Sequence, residues 1–190
     1  MGYKVAVGLS NKHVHLKAED VETLFGKGHT LTPSKDLKQP GQYACEEKVD
    51  VVGPKGTLKG VRVLGPARPE TQVELAMTDA RTIGITAPVR ESGKLDGTPG
   101  VKLVGPAGEV ELDHGVIIAL RHVHLSPAQA AEAGVKDKEI VKVKFEGERG
   151  VIFDNVLIRS GDGHEAEIHL DTDEGNAAGL SNGMYGEIIK

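Results

Sequence analysis

Apolar residues along the chain occur in short runs, alternating or continuous, that glycine and proline interrupt. The runs cover residues 49–52, 61–64, 101–104, 116–120, 140–145 and 156–158. Turn signals such as Gly53-Pro54 and Gly105-Pro106 lie between them, and short apolar runs bounded by such signals are typical of β-strands. The pattern predicts many short strands, arranged either as two small β-barrels or as a sandwich.

Two further segments have the polar and apolar spacing of short amphipathic helices. Residues 17–25 are followed by Gly26, and residues 126–133 are followed by Gly134. Glycine is common just past the end of a helix. Ser126 is a favourable N-cap and Pro127 suits the first helical position, so this second helix is predicted to begin there.

Both predicted helices follow an identical string, His-Val-His-Leu, at residues 13–16 and 122–125. A second pair of similar segments lies downstream, in which Glu74 is equivalent to His169. Self-similarity of this kind indicates an internal repeat, with about fourteen extra residues in the first half. We expect these residues between Thr30 and Cys45.

Composition limits the classes of protein that this chain can belong to. The 25 glycines, nine prolines and 3% aromatic residues favour turn-rich β-structure over helices. No apolar run approaches the roughly 20 residues of a membrane span. The net charge of −5, with scattered basic residues, lacks the basic stripe of a nucleic-acid-binding protein. We therefore predict neither a membrane nor a nucleic-acid partner.

The single cysteine and the N-terminal residues bear on the compartment. Cys45 alone cannot form an internal disulfide, and we interpret it as a buried small apolar residue. The first residues lead directly into an apolar run, with neither the charged and apolar regions of a signal peptide nor an amphipathic leader. We expect a cytoplasmic protein.

The repeated histidines predict metal binding. Residues i and i+2 of a strand point to one face, so each His-x-His string presents two imidazoles together. A single such pair is more often just a polar strand face, but duplication with a third candidate ligand in each half favours two metal sites, because three protein ligands are typical of catalytic zinc. The six candidates are His13, His15 and Glu74 in one half, and His122, His124 and His169 in the other. We interpret His29, His114 and His164, which lie in turn-like contexts, as surface residues.

Three arginines near turns or strand ends suit phosphate recognition, since guanidinium binds phosphate in bidentate fashion. They are Arg62, Arg68 and Arg90. The sequence contains neither a glycine-rich phosphate loop of a known nucleotide-binding type nor a serine-hydrolase elbow. Phosphate bound here would have to be held by the metal and these arginines.

The chain resembles the propanediol-utilisation type of phosphate acyltransferase, the phosphotransacylase associated with bacterial microcompartments. The similarity runs through residues 10–16, 24–26, 38–42, 52–56, 61–66, 71–74, 87–90, 121–125 and 173–177. It implies a mainly β fold of two small barrels capped by short helices, with the active site between them. It also implies that residues 1–29 and 121–190 form one discontinuous barrel, and residues 30–120 a central one.

The same resemblance implies an activity and a set of roles. The reaction would interconvert a short acyl-coenzyme A, propanoyl or acetyl, and inorganic phosphate with acyl phosphate and coenzyme A, in a homodimer with two zinc ions per active site. The zinc ligands would be the two sets of three named above, and Arg68 would contact phosphate. The coenzyme A pocket would draw on Ser10, Lys35, Arg62, Leu64 and Asn176.

One departure from the family concerns the N-terminus. Microcompartment members carry an N-terminal encapsulation extension, whereas Met1 lies only twelve residues before His13. The sequence therefore favours acetate or propionate metabolism in the cytosol over encapsulation by that route.

Two other functions fit the same residues. A dinuclear zinc hydrolase of thioesters or phosphate esters would use these ligands with water in place of phosphate. A non-catalytic metal-binding β-barrel module would bind the metal without turning over any acyl-coenzyme A.

Overall fold

A computed structural model describes residues 2–189; Met1 and Lys190, the ends of the expected discontinuous barrel, lie outside the described residues. The strands are β1 (Lys4–Ser10), β2 (His13–His15), β3 (Pro33–Asp36), β4 (Tyr43–Val52), β5 (Thr57–Gly65), β6 (Gln72–Glu74), β7 (Val89–Arg90), β8 (Val101–Val104), β9 (Glu109–Leu112), β10 (Val116–Ala119), β11 (His122–Leu125), β12 (Ile140–Phe145), β13 (Val151–Ser160), β14 (Glu167–Asp171) and β15 (Tyr185–Ile189). The helices are α1 (Ala18–Phe25), α2 (Met77–Ile83), α3 (Pro127–Ala133) and α4 (Thr172–Ala178). The mainly β prediction is confirmed.

The chain forms two compact units. The contiguous unit runs from Lys12 to Ala119, and the split unit combines the chain up to Asn11 with the chain from Leu120 onward. Residues 12–29, which the expected boundaries assign to the discontinuous barrel, lie in the contiguous unit, because β2 pairs with β5 and β6 of that unit.

The split unit is a closed barrel with the strand order β1-β14-β11-β13-β12-β15. Strand β1 closes it by pairing in parallel with β14 and antiparallel with β15. Buried apolar side chains of its strands fill the interior, among them Ile168 and Leu170 of β14. Helix α3 begins at the predicted N-cap, Ser126, whose side chain accepts from the Gln129 amide. Asp171 caps α4 in the same way.

The contiguous unit is a nine-stranded sheet in the order β7-β10-β6-β2-β5-β4-β8-β9, with β3 paired to β4. It is curled into a half-barrel but not closed, in keeping with two barrel-like units, of which the split one is a closed barrel. The difference lies in β10, which is equivalent to β1 but has four residues instead of seven. Its second edge pairs with β7, and the Val116 amide donates to the Pro99 carbonyl just before β8, but among the described residues no ladder joins β10 to β8.

The strand pairing confirms the internal repeat. Strand β2 lies between β5, which is parallel to it, and β6, which is antiparallel; β11 lies in the same way between β13 and β14. His13 pairs with Glu74, and His122 pairs with His169. The extra residues of the first half contain β3, whereas only residues 134–139 separate α3 from β12.

Helices in both units are short. None of those between residues 2 and 189 has the length and apolarity needed to cross a bilayer.

Candidate metal centres

The first ligand group lies in the contiguous unit, on two neighbouring strands. His13 and His15 project from one face of β2 while Val14 between them is fully buried, and Glu74 projects from β6 opposite His13. The Nε2 atoms of the two histidines lie 3.4 Å and 3.7 Å from the Glu74 carboxylate oxygens. One ligand atom from each residue falls within 4.8 Å of the others, close enough to bind one ion.

Burial sets the charge state of this group. It lowers the pKa of His15 to about 3, helped by the nearby charges of His13 and Arg68, so the ring is neutral at pH 7. Burial alone would raise the pKa of the Glu74 carboxyl, but His13, His15 and Arg68 outweigh it and hold that pKa well below its usual range. A neutral imidazole and an ionised carboxylate are the forms that bind metal.

A network of hydrogen bonds holds Glu74 from behind. The Gln72 amide Nε2 donates to Glu74 Oε1 at 2.5 Å and to Ser92 Oγ at 2.8 Å, and Gln72 Oε1 accepts from the Gly93 amide at 2.7 Å. Ser92 Oγ donates to Glu74 Oε1 at 3.1 Å and accepts from Arg68 at 3.1 Å. Gln72 and Ser92 are functional candidates that the sequence analysis missed. The spacing of two residues between Gln72 and Glu74 is the signal that places both on one strand face.

The second ligand group lies in the split unit and uses the equivalent ladder positions. Its ring centroids are 4.7 Å apart for His122 and His124, 5.0 Å for His122 and His169, and 4.8 Å for His124 and His169. The Nε2 atoms of His122 and His124 face each other at 3.1 Å. His122 Nδ1 bonds the Leu120 carbonyl at 2.8 Å, which leaves Nε2 to act as a ligand. One ligand atom from each of these histidines lies within 4.8 Å of the others.

His124 is the most constrained ring of this second group. Burial, together with the neighbouring rings of His122 and His169, lowers its pKa strongly, so it too is neutral at pH 7. Among the described residues its buried Nδ1 has no hydrogen-bond partner. A buried nitrogen without a hydrogen-bond partner lowers stability. Such a nitrogen supports a metal-binding role for the His124 ring.

The three histidines that the sequence analysis interpreted as surface residues differ in their contacts. His164, interpreted as a surface residue, is half-buried and packs edge-on against His124 at 4.6 Å. It belongs to neither ligand group within residues 2–189. His29 lies 2.8 Å from Glu47 and His114 lies 2.6 Å from Glu70, so each is hydrogen-bonded to a carboxylate that belongs to neither ligand group.

These two groups fit zinc. One is a two-histidine, one-carboxylate set and the other a three-histidine set, both of which are known donor sets of catalytic zinc with an open coordination position. Two local features support zinc binding by the second group. The Nε2 atoms of His122 and His124 face each other, and the buried Nδ1 of His124 has no hydrogen-bond partner among the described residues.

The residues expected to bind phosphate and coenzyme A lie in both units. Arg68 is linked to the first ligand group by Ser92, whose Oγ accepts from Arg68 and donates to Glu74. On the strands of the contiguous unit, Lys35 of β3 and Leu64 of β5 both lie opposite Ala44 of β4. Arg62, two residues before Leu64, donates to the Cys45 carbonyl at 2.6 Å.

The other two expected coenzyme A residues lie in the split unit. Ser10 pairs with Asp171 on β14, and Asn176 is exposed on α4, which Asp171 caps. Arg90, the third candidate cation, is exposed on β7.

Cys45 is fully buried in the core of the contiguous unit, as predicted. Burial raises the pKa of its thiol to about 11. A thiol of that pKa is protonated at pH 7 and is a poor nucleophile.

Comparison with known proteins places this arrangement among acyltransferases. A family model described as phosphate propanoyltransferase matches residues 6–181. A phosphate propanoyltransferase of Thermotoga maritima is 57% identical over 187 residues, which cover 98% of this chain and 89% of the relative. Those of Clostridioides difficile and Salmonella typhimurium are 52% identical over 186 residues and 54% identical over 179 residues. These matches cover 98% and 94% of this chain, and 89% and 85% of the respective relatives.

Proposed function

The chain belongs to the phosphate propanoyltransferase family, and from that premise we propose that it exchanges a propanoyl or acetyl group between coenzyme A and inorganic phosphate with the help of two zinc ions. Family membership supports the phosphate acyltransferase activity. The zinc pair rests on one observation, that the repeat supplies a group of three ligand residues at equivalent ladder positions in each unit.

The proposed reaction is a direct displacement. An oxygen of phosphate attacks the thioester carbonyl carbon, negative charge builds on the carbonyl oxygen, and the carbon–sulfur bond then breaks to release coenzyme A thiolate. Bound zinc supplies Lewis-acid polarisation and neutralises the charge of the anionic reactants. No acyl-enzyme is required, in keeping with the protonated, fully buried thiol of Cys45.

Arg68 is the proposed phosphate residue. Its guanidinium donates to Ser92 Oγ at 3.1 Å, which orients it beside the Glu74 network, and a planar guanidinium matches the geometry of phosphate oxygens. A cation in this place also offsets the negative charge that develops during attack.

Five residues are the proposed coenzyme A contacts. Lys35 and Arg62 offer cations for the phosphates of the cofactor, and Leu64, opposite the same residue as Lys35, offers an apolar surface. Ser10 and Asn176 add hydrogen-bonding groups. This set follows from the family resemblance, and the row that β3, β4 and β5 share at Ala44 supports Lys35 and Leu64.

The decisive assay is thiol release from propanoyl- and acetyl-coenzyme A with and without phosphate. Phosphate-dependent release with acyl phosphate as product supports the proposal. Release that is independent of phosphate would indicate the hydrolase, and metal-loaded protein without turnover would indicate the binding module.

Metal content tests the zinc pair separately. Elemental analysis should find two zinc ions per chain, and His13→Ala and His122→Ala should each remove one. A chain that stays fully active after both ions are removed by a chelator would refute the zinc proposal and leave the acyltransferase activity standing.

The working form that we propose is a cytoplasmic homodimer, as the resemblance implies. Sedimentation equilibrium should give twice the chain mass of 20.1 kDa; a monomer under assay conditions would contradict this.

A further inference from the structure

Strand β14 carries a second polar residue on the face that presents His169. Ile168 and Leu170 point into the core, so Glu167 and His169 share the opposite face. The Glu167 side chain is only 12% exposed, and its Oε2 lies 2.8 Å from His169 Nε2. A carboxylate this deeply buried is stable only when it is paired.

The chemistry of the pair fixes the state of the imidazole. Metal binds a neutral imidazole, and an ionised carboxylate can only accept a hydrogen bond, so in a metal-binding His169 paired with Glu167 the Nε2–H is the donor and the carboxylate the acceptor. A ring whose Nε2–H is committed in this way keeps its lone pair on Nδ1. A carboxylate that orients a metal-binding histidine and sets its tautomer is a recurrent device of zinc sites.

The neighbouring strand leaves room for this pair. Gly8 of β1 lies next to His169 in the parallel ladder, and a Cβ at Gly8 would come within 2.7 Å of the Glu167 carboxyl carbon. Gly8 is an ordinary strand residue and is not among the glycines with positive φ. Glycine at position 8 therefore leaves the space that the Glu167 side chain occupies.

The other repeat has the same arrangement with different chemistry. Glu167 lies opposite His124 in the ladder, and Gln72 lies opposite His15. Each is two residues before the third ligand of its group. The Gln72 amide donates to the Glu74 carboxylate, whereas the Glu167 carboxylate accepts from the His169 ring. In each unit the residue two positions before the third ligand has the hydrogen-bonding group that this ligand needs: a donor for the Glu74 carboxylate and an acceptor for the His169 ring.

We propose that Glu167 is a positioning residue of the second metal centre, holding the His169 ring by accepting its Nε2–H in the place that Gln72 takes toward Glu74. This inference rests on the proposed zinc binding by His122, His124 and His169. It adds a fourth residue, one that is not among those ligands, and gives Gly8 a role in making room for it.

The experiment measures zinc affinity by chelator competition in a His13→Ala background, so that the second centre is observed alone. Glu167→Ala should weaken zinc binding about 10–100-fold, the usual cost of losing such a partner. Glu167→Gln, whose amide oxygen still accepts a hydrogen bond, should show a smaller loss. Gly8→Ala should reproduce much of the loss with Glu167 intact, because the added methyl group displaces the carboxylate.

A matched control is Glu146→Gln, which changes an exposed carboxylate paired with Lys144 on the same barrel. It should leave zinc affinity unchanged. Cobalt substituted for zinc gives a second measurement, since its visible spectrum should change in Glu167→Ala and Gly8→Ala and remain that of the parent protein in the control.

The possible outcomes are distinguishable. If Glu167→Ala and Gly8→Ala bind zinc as tightly as the parent while His169→Ala loses it, the positioning role is refuted and the proposed centre remains. If His169→Ala has no effect either, the proposed centre itself is wrong. Melting of each metal-free variant reports its folding, and if Glu167→Ala does not fold, Glu167→Gln and Gly8→Ala decide the question.

Discussion

Replacing Gln72 with leucine tests whether the hydrogen-bond network behind Glu74 shapes the first metal centre. Gln72 is 1% exposed, and leucine has nearly its volume, so the substitution removes polar groups without opening a large cavity. It takes away the 2.5 Å donor to the Glu74 carboxylate, the 2.8 Å donor to Ser92 Oγ and the 2.7 Å acceptor of the Gly93 amide.

The magnitude follows from the bonds to Glu74 and Gly93, since Ser92 Oγ still accepts from Arg68. A hydrogen bond to a charged group contributes about 1.5–3 kcal/mol and an ordinary one about 1 kcal/mol. Glu74 keeps the 3.1 Å bond from Ser92, so we expect the metal-free protein to lose about 2–4 kcal/mol. For a chain of this size that corresponds to a fall in melting temperature of about 5–15 °C. Zinc affinity at this centre should fall about 10–100-fold.

Calorimetry in the presence of a chelator measures the first effect, and chelator competition in a His122→Ala background measures the second. Gln129→Leu is the matched control, since it removes a half-buried glutamine from the capping box of α3. It should cost about 1 kcal/mol of stability and leave zinc affinity alone. A Gln72→Leu protein that melts within about 1 °C of wild type and binds zinc equally well would refute the role of the network.

Other predictions address the second centre, the phosphate, the thiol and the pH response. His124→Ala should lower bound zinc by one ion per chain and abolish turnover, because a three-ligand site tolerates such a loss poorly; full zinc content by elemental analysis would contradict this. Arg68→Ala should raise the KM for phosphate with zinc retained, and unaltered phosphate kinetics would remove its assigned role. Cys45→Ala should keep most of its turnover, whereas an inactive variant would point to a covalent intermediate. The metal-free protein should lose stability as the pH falls below about 6.5, because burial lowers the pKa of His15 to about 3 when folded and unfolding lets the ring gain a proton; a higher melting temperature at pH 5 than at pH 7 would contradict this.

Much of each ligand group was predictable because strands have a strict period of two. The spacing of His13 and His15, repeated at His122 and His124, puts two imidazoles on one face whichever strands lie beside them. The identical strings then indicated equivalent positions, and the pairing of Glu74 and His169 with the first histidine of each string follows the repeat. The capped start of α3 was also local information, carried by Ser126.

What the sequence did not reveal depends on partners far away in the chain. Ser92 contacts Glu74 from a loop after β7, and no pattern links those two positions. Glu167 was visible only as one more carboxylate in an acidic segment, since its significance comes from the space beside Gly8 on another strand. The open edge of the contiguous unit was equally hidden, because it arises from the brevity of β10 and its pairing with β7.

The closure of the split barrel by β1 has a consequence for synthesis on the ribosome. Among the described strands β1 emerges first, yet its neighbours β14 and β15 emerge last, so β1 cannot pair until the strands between them have been translated. All strands of the contiguous unit emerge in between and pair among themselves. During that interval β1 exposes Val5 and Val7, both of which the finished barrel buries. A nascent chain stalled just before β14 should therefore be a good substrate for chaperones that bind apolar strands.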